Sequence, residues 1–240
     1  NQKPVYRLPA EWEPQWGVML TWPHEDTDWV YCLEEITDTY LQLADAITRH
    51  ERLLVVEPVW GYARRQLERC LSPTQLSRVT CHTCPSDDTW ARDHGPITLV
   101  DDNGGCRVLD FRFNGWGEKF PAEKDNAINR SLYEAGLLQG DYENHLDFVL
   151  EGGSIESDGR GTVFTTSACL LAPHRNQPLT QEEIAQQLME HLRAERVVWL
   201  DHGILEGDDT DGHIDTIVRV APDDTLLYVG SGDEEDPQHD

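Results

Sequence analysis

At 240 residues with a formal net charge of −26, the chain is long enough to bury a core in one or two ordinary domains. It is too acidic for nucleic acid, whose backbone attracts basic proteins. No apolar run approaches the roughly 18 residues needed to span a bilayer, and no charged-then-apolar leader opens the chain, so the expected setting is soluble and without a membrane partner. The negative potential suits a cationic substrate, although a dispersed acidic surface also serves solubility alone.

In chain order, Ile36, Tyr40, Leu41, Ala44 and Ile47 line one face of a predicted helix, followed by a strand at Leu53–Val56. Leu71–Leu76 predicts a short helix, and Val79–Cys81 a strand that runs into a turn at Pro85. Six cysteines occur. Cys81-His82-Thr83-Cys84 has the gap of a redox or zinc half-site, but no second pair follows and no helix opens there, so strand cysteines are the favoured reading. Free thiols fit a reducing, cytoplasmic compartment.

Three polar motifs then recur about 60 residues apart: Trp90-Ala91-Arg92-Asp93-His94-Gly95-Pro96, Leu150-Glu151-Gly152-Gly153-Ser154 and Asp211-Gly212-His213-Ile214-Asp215. Each is followed by two β-rich runs around Asn, Asp or Gly: 97–100 with 108–111, 154–156 with 162–166, and 216–220 with 226–229. These predict three hairpins. Before the third motif, Thr180 and Glu183 form a capping box, Ile184, Leu188 and Leu192 follow at helical spacing, and Val197–Leu200 predicts a strand. Cys169, in Thr166-Ser167-Ala168-Cys169-Leu170-Leu171, reads as a strand residue. The acidic tract 232–237 reads as a solvated loop. The repeating unit is helix, strand, polar motif, hairpin. This is an α/β fold, and if the units close around an axis their polar groups converge on one pocket.

Carboxylates facing a pocket can grip a planar cation through paired hydrogen bonds, and a histidine flanked by acids can move protons near neutral pH. Singly, each residue has an ordinary explanation. Asp93 could pair with Arg92 or cap a turn, Glu151 could close a strand, and His213 could be a satisfied core histidine. Their matching positions in successive units favour a shared site.

At these residues the sequence resembles agmatine deiminases and the related bacterial-type peptidylarginine deiminases. The resemblance rests on Leu8-Pro9-Ala10-Glu11-Trp12-Glu13-Pro14, the segment 88–96, Phe113-Asn114-Gly115-Trp116-Gly117, Leu150-Glu151-Gly152-Gly153 and Thr210-Asp211-Gly212-His213-Ile214-Asp215. It covers nearly the whole chain. It implies a five-module α/β propeller of the guanidino-group-modifying superfamily, with residues 1–240 forming a single deiminase domain. The implied reaction hydrolyses agmatine to N-carbamoylputrescine and ammonia, for putrescine biosynthesis, with no metal or organic cofactor. Asp93 and Asp215 would clamp the guanidinium of a small cationic substrate. Glu151 would contact the same group and orient His213, the general acid and then base. Trp90 would wall the pocket, Asp209 would meet the far ammonium, and Asp88 and Trp116 would add contacts. A homodimer is the commonest assembly for such enzymes.

The nucleophile is where the pattern breaks. The family cysteine stands in a Gly-Gly-(Gly)-Asn-(Ile/Val)-His-Cys context downstream of the Gly-His-x-Asp motif, and none of the six cysteines has that context. The expectation is a deiminase chain lacking its final module or more, inactive as it stands and unstable through unpaired sheet edges. Two alternatives remain: a metal-dependent hydrolase using the His202, His213 and Asp215 region, and a guanidinium or polyamine binding module that has lost its nucleophile. Peptidyl-arginine is the alternative deiminase substrate.

Overall fold

The run at Leu53–Val56 forms strand β2 (Arg52–Glu57), in which every residue after Arg52 is buried. A strand apolar on both faces belongs in the middle of a covered parallel sheet, and β2 pairs in parallel with β1 (Gly17–Thr21) on one side and β3 (Val79–Thr83) on the other. The computed structural model describes residues 5–203, 205–233 and 235–236. Of the acidic tract, Glu234 and Pro237 lie outside the described residues.

The chain divides into two compact units, one made of Pro14–Gly95 with Pro121–Leu137 and the other of Asn1–Glu13, Pro96–Phe120 and Leu138–Asp240. In the first, parallel pairing demands crossovers. Helix α1 (Leu33–Thr48) joins β1 to β2, while α2 (Tyr62–Cys70) and a one-turn helix at Pro73–Leu76 join β2 to β3. Trp22, Ala44, Leu53, Val55, Ala63, Leu67, Leu71 and Val79 form its core, with Tyr40, Leu41 and Ile47 of the predicted helical face packed against it. The predicted helix at Leu71–Leu76 starts later than expected. Ser72 caps it through a capping box with Gln75, and Leu71 is extended. Helix α2 was not foreseen because its cap is remote. The buried Glu57 carboxylate accepts the backbone N–H groups of Gly61 at 2.8 Å and Ala63 at 2.9 Å. Helix α3 (Glu123–Glu134) completes this unit and buries Asp125, Ile128, Asn129 and Leu132.

The second unit repeats one arrangement. Hairpin β4 (Ile97–Val100) and β5 (Cys106–Arg112) is joined in parallel by β6 (Asp141–Val149). Hairpin β7 (Ile155–Ser157) and β8 (Thr162–Thr166) is joined in parallel by β9 (Arg196–Leu200). Helix α4 (Gln181–Leu192) links β8 to β9, opened by the expected capping box of Thr180 and Glu183. A third hairpin, β10 (Val218–Ala221) with β11 (Thr225–Tyr228), pairs only with itself among the described residues. All three predicted hairpins form. The core runs through Leu99, Leu109, Phe111, Phe148, Leu150, Val163, Leu170 and the buried face Ile184, Leu188 and Leu192 of α4. Within this unit the strand preceding a motif belongs to the earlier sheet. Glu151 therefore sits where the chain leaves the β6 sheet for the β7 sheet.

Cys169 corrects the sequence reading. It lies in a one-turn helix, Ser167–Leu170, because the Thr166 side chain accepts the Cys169 N–H at 3.2 Å and ends β8 by capping. Cys81 is in β3, as expected of a strand cysteine, whereas Cys84 lies just past the end of that strand. No helix among the described residues is long and apolar enough to cross a membrane.

Candidate active site

Glu151 follows β6 and opens a 3-10 turn at Gly152–Ser154, where Ser154 Oγ donates to its carbonyl at 2.6 Å. The turn directs a wholly buried carboxylate at two groups. Arg175 Nη2 is 2.9 Å from Glu151 Oε1, and His213 Nε2 is 3.9 Å from the same oxygen. The other ring nitrogen of His213, Nδ1, is 4.0 Å from Asp215 Oδ1. One imidazole thus has a carboxylate beyond each nitrogen, at ion-pair range rather than hydrogen-bond length.

The loop that presents His213 is wound tightly around Asp208. Its carboxylate accepts the Thr210 N–H and hydroxyl at 3.0 and 2.6 Å and the Gly212 N–H at 2.6 Å. Thr210 Oγ1 in turn accepts the His213 N–H at 3.0 Å. The turn requires Asp211 and Gly212 at φ of 67° and 88°, a region that glycine and aspartate tolerate better than most residues. Thr166 Oγ1 donates to the Gly212 carbonyl at 2.6 Å.

Arg175 was not foreseen. Its side chain is wholly buried, donates to Asp211 Oδ2 at 2.8 Å and to the Thr210 carbonyl at 3.0 Å, and lies 3.9 Å from Cys169 Sγ. The sequence signal is a lone arginine in the turn-rich stretch Pro173-His174-Arg175-Asn176, and nothing local marks it as internal. Burial pushes the Glu151 carboxyl up, but the His213 ring and the Arg175 charge outweigh it and leave Glu151 below its usual range. Burial raises the Cys169 thiol, and the neighbouring Glu151 carboxylate adds to this against the opposing effects of His213 and Arg175. A buried thiol held neutral beside a carboxylate is a poor nucleophile.

Asp209 is exposed, and its backbone carbonyl accepts from Lys119 Nζ at 2.6 Å. The inward carboxylate of this segment is Asp211, which also pairs with Lys119 at 2.8 Å. Burial raises the Asp211 carboxyl, and hydrogen bonds from Lys119 and Arg175 bring it below its usual value. Trp116 is buried in an aromatic trio, edge-on to Phe113 at 5.0 Å and to Phe120 at 5.7 Å. It holds φ 56° between Gly115 and Gly117, a conformation bulky residues rarely adopt. A Cβ on Gly117 would meet Arg175 Nη1 at 2.5 Å.

The remaining expected site residues belong to the other unit. Asp93 is buried in the one-turn helix Ala91–His94. Trp90 is 41% exposed with its ring 5.7 Å from that of Trp29. The Asp88 carboxyl is raised, chiefly by burial. Two side chains of α3 hold this segment. Asp125 accepts the Asp87 N–H at 2.7 Å and the Asp88 N–H at 3.2 Å, and Asn129 Nδ2 donates to the His94 carbonyl at 2.8 Å. Burial lifts Asp125 to about 7 and lowers His94 to about 4.

For the metal alternative, His202 is exposed. Among the described residues, the ligand atoms that gather within 4.8 Å are those of Glu151, Cys169 and His213. The Arg175 guanidinium already places a cation against two of them, which opposes a second cation there.

The sequence profile of the Porphyromonas-type peptidyl-arginine deiminase family matches residues 7–240. A Listeria monocytogenes protein provisionally named an agmatine deiminase is 37% identical over 98% of this chain and 63% of its own length. The chain therefore spans less than two thirds of that relative. A solved Porphyromonas gingivalis structure, provisionally named an arginine deiminase, is 46% identical with a TM-score of 0.88, covering 98% of this chain and 68% of that one. A C. jejuni agmatine deiminase with a cysteine-to-serine substitution and substrate bound is 34% identical with a TM-score of 0.88, covering 100% and 69%. With the profile running through the motifs around Asp93, Glu151 and His213, the chain belongs to the Porphyromonas-type peptidyl-arginine deiminase family.

Proposed function

We propose that these residues are the guanidinium-gripping and proton-shuttling part of an agmatine deiminase, which hydrolyses agmatine to N-carbamoylputrescine and ammonia. The observation that carries this reading is the buried His213, with Glu151 beyond Nε2 and Asp215 beyond Nδ1. A guanidinium is resonance-stabilised and resists water. Carboxylates that fix its plane and a thiolate that attacks its central carbon split the reaction into two feasible steps through a thiouronium. Asp93 and Asp215 are the proposed clamp, and Glu151 contacts the same cation and orients His213. His213 gives a proton to departing ammonia and takes one from the attacking water. Trp90 flanks the apolar chain of the substrate, with Asp209 proposed for the far ammonium and Asp88 and Trp116 as further contacts.

The thiolate is assigned to a cysteine outside these 240 residues. Burial and elevation of the Cys169 thiol support that assignment. The two hairpin-plus-parallel-strand sheets and the third hairpin are compatible with modules of a five-bladed α/β propeller acting as one deiminase domain. Six free cysteines fit a cytoplasmic setting. The family description and the P. gingivalis relative favour a second reading, an arginine side chain or free arginine as substrate.

Ammonia release by the protein expressed from its whole gene, with agmatine, free arginine and a C-terminal arginine peptide in parallel, tests both. Preference for agmatine is expected. Faster release from either arginine substrate moves the assignment to the second reading, and no release from any of the three rejects a deiminase.

A further inference from the structure

We propose that Arg175 is a positioning residue of this site, a buried clamp that ties the Glu151 carboxylate to the loop carrying His213. The role in turnover rests on the deiminase reading above, whereas the clamp itself rests on geometry. The guanidinium reaches Glu151 Oε1 at 2.9 Å with Nη2, and the same nitrogen donates to the Thr210 carbonyl at 3.0 Å. Nη1 donates to Asp211 Oδ2 at 2.8 Å. One planar group therefore fixes the turn after β6 and the 208–213 loop together, which is what a rigid fork does and a point charge does not.

The neighbourhood is shaped for that fork. Gly117 has no Cβ where Arg175 Nη1 and the Pro173 carbonyl lie, at 2.5 and 2.9 Å from the position a Cβ would take. Asn114 Nδ2 donates to the His174 carbonyl at 2.7 Å, holding the segment from which Arg175 enters. The charged and titratable groups facing Glu151 are Arg175, His213 and Cys169. Arg175 is the fixed cation among them. Its loss leaves a buried carboxylate whose remaining cationic partner, among the described residues, is an imidazole that must itself gain and lose the proton. Glu151 would then hold a proton at higher pH, and His213 would lose its orienting anion where turnover needs it.

The test uses Arg175→Lys and Arg175→Met in the protein expressed from its whole gene, with Asp211→Asn as a milder variant that cuts one arm of the fork. Two readouts are taken: steady-state ammonia release across pH, and ¹³C titration of labelled glutamate carboxyls with Glu151→Gln assigning the resonance. The expected result for Arg175→Lys, which keeps the charge but not the fork, is a 10- to 100-fold fall in kcat with KM within about threefold; Arg175→Met should fall at least as far and move the acidic limb up by a pH unit or more. In Arg175→Met, which removes the fixed cation, the Glu151 carboxyl should titrate at least a unit higher, whereas Asp211→Asn, which leaves that cation to Glu151, should lower kcat by less and not raise the carboxyl. An unshifted Glu151 titration in a folded Met variant, or an unchanged kcat in a folded Lys variant, overturns the clamp. An effect confined to KM overturns positioning and makes Arg175 a substrate contact. If the parent protein releases no ammonia, the deiminase reading fails while the carboxyl titration still decides the clamp.

Discussion

Thr166 Oγ1 bonds the Gly212 carbonyl at 2.6 Å while accepting the Cys169 N–H at 3.2 Å. One hydroxyl therefore caps the turn after β8 and anchors the loop that presents His213. Thr166→Val keeps the shape and removes both bonds. A loss of about 1–3 kcal/mol in urea unfolding is expected, with a larger fall in ammonia release than stability alone explains. Thr166→Ser should restore most of both, and a Val variant as active and stable as the parent would count against the shared anchor.

Gly117 and Gly136 both hold positive φ, 83° and 71°, but differ in surroundings. Gly136 has open space where a Cβ would go, whereas at Gly117 that atom meets Arg175 Nη1 at 2.5 Å. Gly136→Ala should cost about 1 kcal/mol, the backbone penalty alone. Gly117→Ala should cost clearly more and reduce ammonia release, because the fork of Arg175 must move. Equal losses in thermal unfolding would show that Arg175 yields freely.

Asp125 is lifted to about 7 by burial, so the folded protein keeps its proton where the unfolded chain, with a carboxyl near 3.8, has released it. Between those values the folded state binds more protons, and this group makes stability fall as pH rises from about 4 to about 7, by on the order of 4 kcal/mol. Above pH 7 its contribution is flat. Asp125→Asn has no such proton, so its unfolding free energy relative to the parent should climb across that window. Parallel curves for the two proteins from pH 4 to 7 would rule this out.

Cys169 is buried with a raised thiol, whereas Cys70 is exposed. Iodoacetamide at pH 8 should alkylate Cys70 well before Cys169 in the native protein, read by peptide mass spectrometry. Cys169→Ala should retain ammonia release within about tenfold of the parent. A complete loss in a folded Ala variant would make Cys169 the nucleophile after all.

The hairpins, β2, β3, β9, the face of α1 and the capping box of α4 were legible because each depends on local pattern: alternation, turn residues or a cap within three residues. Strand β1, helices α2 and α3 and the one-turn helix at Cys169 were not. Helix α2 takes its cap from Glu57 of the preceding strand, and the polar residues of α3, Asp125 and Asn129, serve distant backbone rather than the solvent their type suggests. At the candidate site, Glu151, His213 and Asp215 could be named because glycines and acids flank them in sequence. Arg175 carries no such flag. Its importance lies in what surrounds it after folding, as does the inward turn of the Asp211 carboxylate beside the exposed Asp209.

Helix α3 belongs with Pro14–Gly95 although the hairpin β4–β5 is made between them in the chain. During synthesis, the hairpin leaves the ribosome before the helix that supplies Asp125 to the Asp87 and Asp88 amides and Asn129 to the His94 carbonyl. A nascent chain halted near residue 100 therefore has all three strands of its parallel sheet but lacks the bonds from α3 to the segment that carries Trp90 and Asp93. That segment can gain those bonds only once the chain through Leu137 is free of the exit tunnel.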